Sequence, residues 1–233
     1  MKPRDLLFLA GVSLVALAMM FAPRMILAAP VPLASSNLPM AFAQKIFYFH
    51  VPVAWCAFLS VFVCAGGSVA HLAKRSRGGE ALAVAAAELV IVFGLCTLVT
   101  GPLWARKEWG VWWVWKDVRL VSMLILWVTF LAFLFVRRYG GPGSSKLASG
   151  LALFGAANVP IVYLSVFFWR TQHPEGTVVG TLDSRMRPAF WLSMLTFTIL
   201  YGLLLALRLR LEKTRQRLDD AYLAADEAGL LDA

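Results

Sequence analysis

The sequence has 233 residues, of which 60% are hydrophobic and 15% are charged, and its mean hydropathy is positive. This composition excludes an ordinary soluble domain and favours a membrane protein, because apolar runs long enough to cross a bilayer alternate with charged patches. The formal net charge of +9 does not indicate nucleic-acid binding, since the basic residues lie in short patches between apolar segments, where membrane topology accounts for them.

The three cysteines, Cys56, Cys64 and Cys96, all lie within apolar runs, and the sequence contains no CxxC or CxxCH pattern. This spacing gives no support for a disulfide framework or a cysteine-ligated metal site, and it excludes a c-type cytochrome. We therefore expect the cysteines to be buried free thiols that pack as small hydrophobic residues.

Six apolar runs are each close to the ~20 residues that an α-helix needs to cross the hydrocarbon core. The first, residues 6–22, is longer than the roughly 7–15 residues of a signal-peptide core, so it is interpreted as a retained span. The others are predicted around residues 51–73, 81–103, 120–136, 147–169 and 189–207. The sequence thus predicts an all-α, six-helix transmembrane bundle over residues 1–207.

The distribution of lysine and arginine predicts the orientation of these spans. Thirteen lie on the side that holds the N terminus, the second and fourth connections and the tail, against eight in the other connections, with Arg24 counted in the first span. The positive-inside rule therefore places both termini in the cytoplasm. The tail, residues 208–233, is predicted to be an amphipathic helix carrying Leu211, Leu218 and Tyr222, either a docking site for a partner or a solvated, partly frayed helix.

Five of the nine tryptophans fall within residues 104–119, together with six charged residues. The tryptophans are Trp104, Trp109, Trp112, Trp113 and Trp115, and the charged residues are Arg106, Lys107, Glu108, Lys116, Asp117 and Arg119. So many charges do not fit a lipid-buried segment, whereas indole rings left in water would forgo about 1.5–3 kcal/mol each. If the segment is helical, Trp109, Trp112 and Trp113 share one face and form an aromatic platform. Two interpretations follow: an interfacial anchor, or a stacking site for a large, flat, anionic ligand.

Two of the three histidines belong to the same membrane face as this segment. His50 comes after the first predicted span, residues 104–119 after the third and His173 after the fifth, so all three share one side in either orientation. Two imidazoles and an aromatic platform on one face predict a haem site, with His50 and His173 as axial ligands of the iron. Cations for the haem propionates are available at Arg106, Lys107, Arg119, Arg170, Arg185 and Arg187.

Glu88 is the one acidic residue well inside an apolar run. An intramembrane carboxylate is a functional candidate by default, and two interpretations stay open: packing against a helix or partner, and a partly hydrated group. His71 lies at the inner end of the second predicted span, beside Lys74, and is interpreted as an interfacial residue. The sequence contains no phosphate loop, HExxH or serine, histidine and carboxylate arrangement, so any transport step would draw its energy from a partner.

Three motifs in matching order resemble the CcmC family of cytochrome c maturation, within the haem-handling membrane proteins that carry a tryptophan-rich WWD motif. Residues 44–55 (QKIFYFHVPVAW) are similar to its first histidine segment, and residues 100–104 (TGPLW) with 109–115 (WGVWWVW) to its signature connection. Residues 158–165 (NVPIVYLS) through 169–173 (WRTQH) are similar to its second histidine segment. One departure is Lys116, which precedes Asp117 and on a helix would rotate Asp117 and Arg119 by about 100°.

The resemblance implies six spans and an outward-facing haem site, with His50 and His173 as axial ligands and with Trp109, Trp112, Trp113, Trp115 and Asp117 around the macrocycle. It implies that haem b is presented to the haem chaperone CcmE, in a complex with the transporter subunits CcmA and CcmB and the small membrane protein CcmD. The expected location is the bacterial inner membrane.

Two other functions remain open at this point. A membrane b-type cytochrome that exchanges electrons with quinone would normally seat haem between histidines inside the bundle, and no histidine lies in the middle of a predicted span. A passive permease or scaffold subunit would use the tryptophans only as an anchor.

Overall fold

The structure is a computed structural model that describes residues 3–29, 43–141, 143–169, 171, 173 and 182–230. These residues form six long helices and a short 3₁₀ turn, Gln44–Ile46, and no strand occurs among them. The helices are α1 (Pro3–Ala28), α2 (Phe47–Lys74), α3 (Arg77–Glu108), α4 (Val118–Tyr139), α5 (Ser144–Phe168) and α6 (Arg187–Glu227).

All six helices are long and apolar enough to span a membrane. The prediction of an all-α bundle with six spans is therefore confirmed, although most helices extend beyond the predicted runs. Helix α1 continues through Pro23 to Ala28, and α3 continues through Pro102 to Glu108. Hydropathy finds only the apolar part of a helix, whereas the backbone stays helical into the polar interface.

The start of α2 meets the ends of α1 and α3, and the start of α4 meets the chain just beyond α5, so the bundle has two ends. We call the end that holds His50, residues 104–119 and His173 the histidine face, and the other end the opposite face. At the opposite face, α2 ends on Arg75 in the left-handed conformation, with φ of 50°. Ser76 then caps α3, its hydroxyl accepting a hydrogen bond from the Gly79 amide at 3.0 Å.

Helices α2 and α3 approach each other most closely where two glycines meet. A Cβ atom added to Gly67 would lie 2.6 Å from the Gly79 carbonyl oxygen, and one added to Gly79 would lie 2.8 Å from the Gly67 carbonyl oxygen. Small residues let backbones pack directly against each other, and this is the main source of helix association in a bilayer. The central core extends from this contact through α4 and α5 to Tyr201 of α6.

Polar side chains tie α4 to its two neighbours within the bundle. The Trp127 indole N–H donates to the Ile91 carbonyl of α3 at 3.0 Å. On its other side, the Asn158 amide of α5 donates to the Ser122 carbonyl at 2.8 Å. The Asn158 contact is buried and the Trp127 contact is partly buried, and together they tie α4 to α3 and to α5.

Helix α1 packs mainly on α6, and Lys45 fastens its end at the histidine face. The Lys45 ammonium donates to the carbonyls of Ile26, at 2.8 Å, of Leu27, and of Ala29, at 2.9 Å. A cation at the carbonyl end of a helix satisfies groups that have no partner inside the helix and interacts favourably with its dipole. Lys45 thereby joins α1 to the segment that leads into His50.

Helix α6 runs without a break from Arg187 to Glu227, a total of 41 residues. The sixth span and the predicted tail are therefore one helix, at least as far as Glu227, and the tail's cytoplasmic location stays a prediction. The tail is held by Arg77, whose guanidinium forms two hydrogen bonds with the Asp220 carboxylate at 2.6 and 2.9 Å.

Glu88 forms an ion pair with Arg208 of α6. This contact joins α3 to α6 where α6 leaves the apolar region, as the packing interpretation expects, and the Glu88 side chain also stays 33% exposed, as a partly hydrated group would. His71 lies at the same end, 3.8 Å from the Glu80 carboxylate, and Glu80 also pairs with Arg137 at 2.6 Å. Cys56 and Cys64 are buried free thiols as predicted, and Cys96 is a half-buried one.

The glycine contact generates a stability prediction with a matched control. Gly67→Ala should destabilise the detergent-solubilised protein by about 1–3 kcal/mol, the usual cost of overpacking, because the new methyl group meets backbone atoms that cannot move aside. Gly66→Ala, one residue away, adds a methyl group with no atom within 4 Å. Thermal unfolding in detergent should show a lower Tm for Gly67→Ala only, and equal Tm values would contradict the predicted contact.

Candidate functional site

His50 lies in the first turn of α2 and is oriented by a threonine of α3. Its Nδ1 atom is 2.7 Å from the Thr100 hydroxyl oxygen. The same hydroxyl donates its proton to the Cys96 carbonyl of the preceding turn, also at 2.7 Å. Because the single hydroxyl proton is used in that bond, we assign Nδ1 of His50 as the donor to Thr100.

This assignment fixes which nitrogen of His50 can bind a metal ion. A neutral imidazole that carries its proton on Nδ1 presents a lone pair on Nε2. A hydrogen bond from the other ring nitrogen is also how most metal-binding histidines are oriented and made more basic. Gly101 lies beside the ring, since a Cβ atom there would be 3.6 Å from Cε1 of His50. In this tautomer Nε2 is the nitrogen of His50 that carries the lone pair.

His173 and Arg119 lie within electrostatic range of His50. The structure thus brings together the two histidines, which are separated by more than 120 residues in the sequence, and adds a guanidinium. Arg119 is half-buried in the first turn of α4 and also interacts with Asp117 and Tyr163. An arginine close to His50 raises the local positive potential, which favours an anionic ligand.

Asp117 is the N-cap of α4 and is only 3% exposed. Its Oδ1 atom accepts hydrogen bonds from the amides of Arg119, at 3.0 Å, and Leu120, at 3.2 Å. Its Oδ2 atom accepts from the Thr171 hydroxyl at 2.6 Å, and that hydroxyl oxygen accepts from the His173 amide at 3.1 Å. The expected rotation of Asp117 by Lys116 does not apply, because both residues precede the helix.

The tryptophan segment differs from the helical platform that the sequence suggests. Helix α3 ends at Glu108, and the chain then passes through turns until α4 begins at Val118. Gly110 has φ of 74°, a conformation that side chains disfavour and that breaks the helix. Trp109, Trp112 and Trp113 therefore do not share a helical face, and the interpretation as a single flat platform is wrong.

Four of the indole rings instead form two edge-to-face pairs, and the Trp112 ring belongs to neither pair. The ring centroids of Trp104 and Trp109 are 5.2 Å apart, and those of Trp113 and Trp115 are 5.9 Å apart. Trp112 is 57% exposed and Trp115 is 74% exposed, so apolar aromatic surface is available to a ligand or to lipid. The Nε1 donor of Trp113 is buried and has no hydrogen-bond partner among the described residues. An unsatisfied buried donor is rare, and a bound acceptor would satisfy it.

The other cations predicted for the site differ in how they are used. The Arg106 guanidinium donates to the Gly110 carbonyl and closes the turn after α3. Arg185 forms hydrogen bonds with the Asp183 carboxylate at 2.9 and 3.1 Å, and this contact holds the pKa of Asp183 at about 2. Arg185 is thus already neutralised by an ionised partner. Arg170 lies outside the described residues, and Arg119 is the guanidinium whose charge acts directly on His50.

Sequence reasoning missed two residues of the site, Thr100 and Thr171. Thr171 had a local signal, because a threonine hydroxyl often accepts a hydrogen bond from the amide two residues later. Thr100 had none, because a threonine that bonds to the carbonyl four residues earlier is common in membrane helices. The described residues contain no cluster of three or more histidine, cysteine or acidic side chains that could hold a metal ion.

The fold and the site define a multi-pass helical membrane protein in which two of the three histidines, His50 and His173, lie with the tryptophan segment at one end of the bundle. The sequence model of the CcmC family, described as heme exporter protein C, matches residues 2–225. The chain belongs to this family, which confirms the resemblance identified from the three motifs.

Individual relatives agree with this assignment. Heme exporter protein C of Bradyrhizobium diazoefficiens is 35% identical over 177 residues, which cover 74% of this chain and 66% of that protein, just under two thirds. A putative ccmC-like mitochondrial cytochrome c biosynthesis protein of Marchantia polymorpha is 33% identical, over a match that covers 76% of this chain and 77% of that protein. Heme exporter protein C of Escherichia coli K12 is 31% identical, over a match that covers 72% of this chain and 69% of that protein.

The hydrogen bond from His50 to Thr100 generates a prediction about the imidazole tautomer. Thr100→Val keeps the shape of the side chain and removes the acceptor, so the preference for a proton on Nδ1 should fall by about 2–10-fold, equivalent to a net ~0.5–1.5 kcal/mol. Thr100→Ser keeps the hydroxyl and should retain the preference. Nitrogen NMR shifts of ¹⁵N-histidine-labelled protein would measure the tautomers, and identical His50 signals in the valine variant would refute the assignment.

Proposed function

We propose that this protein binds haem b at the histidine face and delivers it for cytochrome c maturation. The observation that carries the proposal is the convergence of His50, His173 and Arg119. The family and the names of the relatives support it, since they describe heme exporters and cytochrome c biosynthesis proteins. Haem is the cargo in this proposal, and the protein is a carrier with no catalytic residues of its own.

The side chains at this face fit the chemistry of haem. Nε2 of His50 and an imidazole nitrogen of His173 are the proposed axial ligands of the iron. Arg119 would neutralise a propionate, and a propionate oxygen would satisfy the Trp113 Nε1 donor. The exposed rings of Trp112 and Trp115 would cover apolar macrocycle surface. Trp104, Trp109 and Arg106 shape the turn that carries these rings.

The proposed setting is a complex in the bacterial inner membrane. The histidine face would be periplasmic and would present haem to the chaperone CcmE, and both termini would be cytoplasmic, as the lysine and arginine distribution favours. The sequence contains no nucleotide-binding motif, so the energy for release would come from the ATP-hydrolysing subunit CcmA, acting with CcmB and CcmD.

Haem ligation is tested by the absorbance spectrum of the purified protein. Detergent-solubilised wild-type protein should carry sub-stoichiometric haem with a low-spin Soret band, because two imidazoles give a strong ligand field. His50→Ala or His173→Ala should shift the spectrum towards high spin and lower haem retention. His71→Ala is the matched control, since His71 lies at the opposite face and should leave the spectrum unchanged. A wild-type spectrum in either of the first two variants would remove that histidine as a ligand.

Delivery is tested with purified CcmE as the acceptor. Haem-loaded wild-type protein, incubated with apo-CcmE, should lose its Soret signal while CcmE gains haem. The His50→Ala and His173→Ala proteins should transfer at least tenfold less haem per mole of protein, because less haem is held in a presentable state. Equal transfer from wild-type protein and from free haem in detergent would contradict the delivery role.

A further inference from the structure

A single carboxylate joins the tryptophan segment to the second histidine. Asp117 ends the turn formed by Trp115 and Lys116, its amide donating to the Val114 carbonyl at 3.1 Å. Its side chain caps α4 through Oδ1, and its Oδ2 atom accepts a hydrogen bond from the Thr171 hydroxyl at 2.6 Å. The Thr171 oxygen in turn accepts from the His173 amide at 3.1 Å. Asp117, Thr171 and His173 therefore form a continuous chain of hydrogen bonds, in which the step from Asp117 to Thr171 joins residues 54 positions apart in the sequence.

The burial of Asp117 makes this chain a strong constraint. The residue is 3% exposed, and a carboxylate removed from water must be compensated by donors or nearby positive charge. The donors among the described residues include the amides at the start of α4 and the Thr171 hydroxyl, so the carboxylate is bonded to both elements. Hydrogen bonds to a charged acceptor are also stronger than neutral ones, and the 2.6 Å separation fits that class.

The helix start does not need Thr171. Oδ1 of Asp117 already accepts the Arg119 and Leu120 amides, which is the full capping interaction. Oδ2 is thus the atom that reaches the second histidine segment, through the Thr171 hydroxyl. The Thr171 side chain can be removed without removing the cap.

We propose that Thr171 is a positioning residue that sets the His173 imidazole relative to the tryptophan segment through Asp117. This proposal rests on the haem-binding function proposed above and adds a specific determinant of ligand geometry. A displacement of the tryptophan segment would be transmitted through Asp117 and Thr171 to the backbone of His173. Capture of the macrocycle by the tryptophans and ligation of its iron by His173 are therefore linked steps.

The test uses Thr171→Val and Thr171→Ser in the full-length, detergent-purified protein. The valine has nearly the shape of threonine but lacks the hydroxyl, whereas serine keeps the hydroxyl. The Thr171→Val protein should retain about tenfold less haem than wild type, because it lacks one hydrogen bond to a charged acceptor and such a bond contributes about that factor. Its remaining haem should show a mixed high-spin and low-spin spectrum, because His173 is no longer held in place. Thr171→Ser should restore both retention and the low-spin spectrum.

Added imidazole separates positioning from general stability. Free imidazole should convert the haem of Thr171→Val and of His173→Ala to the low-spin form, because it replaces a ligand that is misplaced or absent. It should have little effect on wild type. If Thr171→Val does not fold, Asp117→Asn provides the second variant: Oδ1 still caps α4, whereas the amide nitrogen cannot accept the Thr171 proton. The same spectral change is expected from that variant.

The outcomes distinguish this proposal from the haem-binding function. An unchanged spectrum in His173→Ala would overturn haem ligation by His173 and with it the role of Thr171. A changed spectrum in His173→Ala together with a wild-type spectrum, retention and imidazole response in Thr171→Val would overturn the positioning role alone. Failure of Thr171→Ser to recover the low-spin spectrum would also overturn it.

Discussion

The arrangement at the histidine face depends on one electrostatic requirement, the compensation of the buried Asp117 carboxylate. A charge so little exposed is stable only where several donors converge on it, and here they belong to two segments far apart in the sequence. The start of α4 supplies backbone amides and the positive end of a helix dipole. The segment after α5 supplies a hydroxyl. The amides at the start of α4 and the Thr171 hydroxyl both bond to this carboxylate, so the two segments are held together at the site.

The bundle beneath the site is held by a different kind of contact. In a bilayer the lipid tails are as apolar as the helix surfaces, so helices associate through close packing and a few polar contacts. The backbone contact of Gly67 with Gly79 and the indole bond of Trp127 to Ile91 are of these two kinds. Together they fix α2, α3 and α4 relative to one another. The first turn of α2 and the last turns of α3 then meet, and His50 reaches Thr100.

The sequence predicts the spans well and the site only in part, for physical reasons that differ by residue. Spans follow from hydropathy, a local property, so all six helices are predictable. The parity of the spans places His50 and His173 at one end without any knowledge of their distance. The helical interpretation of the tryptophan segment fails at Gly110, which adopts a positive φ. Glycine can adopt positive or negative φ, so the sequence pattern alone does not predict that the helix ends there.

Local sequence patterns predict the capping role of Asp117 but not the contacts of Thr171 and Thr100 with distant segments. Asp117 immediately precedes an apolar run, which is the usual place for a helix N-cap, so its capping role was available from sequence. Its contact with Thr171 was not, because it depends on how α4 and α5 pack and on the path of the chain beyond α5. Thr100 was equally hidden, since its partner lies on a neighbouring helix 50 residues away.

The uninterrupted course of α6 has a mechanical consequence. At 1.5 Å per residue its 41 residues extend for about 60 Å, roughly twice the thickness of the hydrocarbon core. Phe190, near its first residues, packs in the same cluster as Tyr48, two residues before His50, while Asp220 near its last residues is held by Arg77. The two ends of one continuous helix are thus anchored on opposite sides of the bundle, so α6 provides a direct mechanical connection between the two faces.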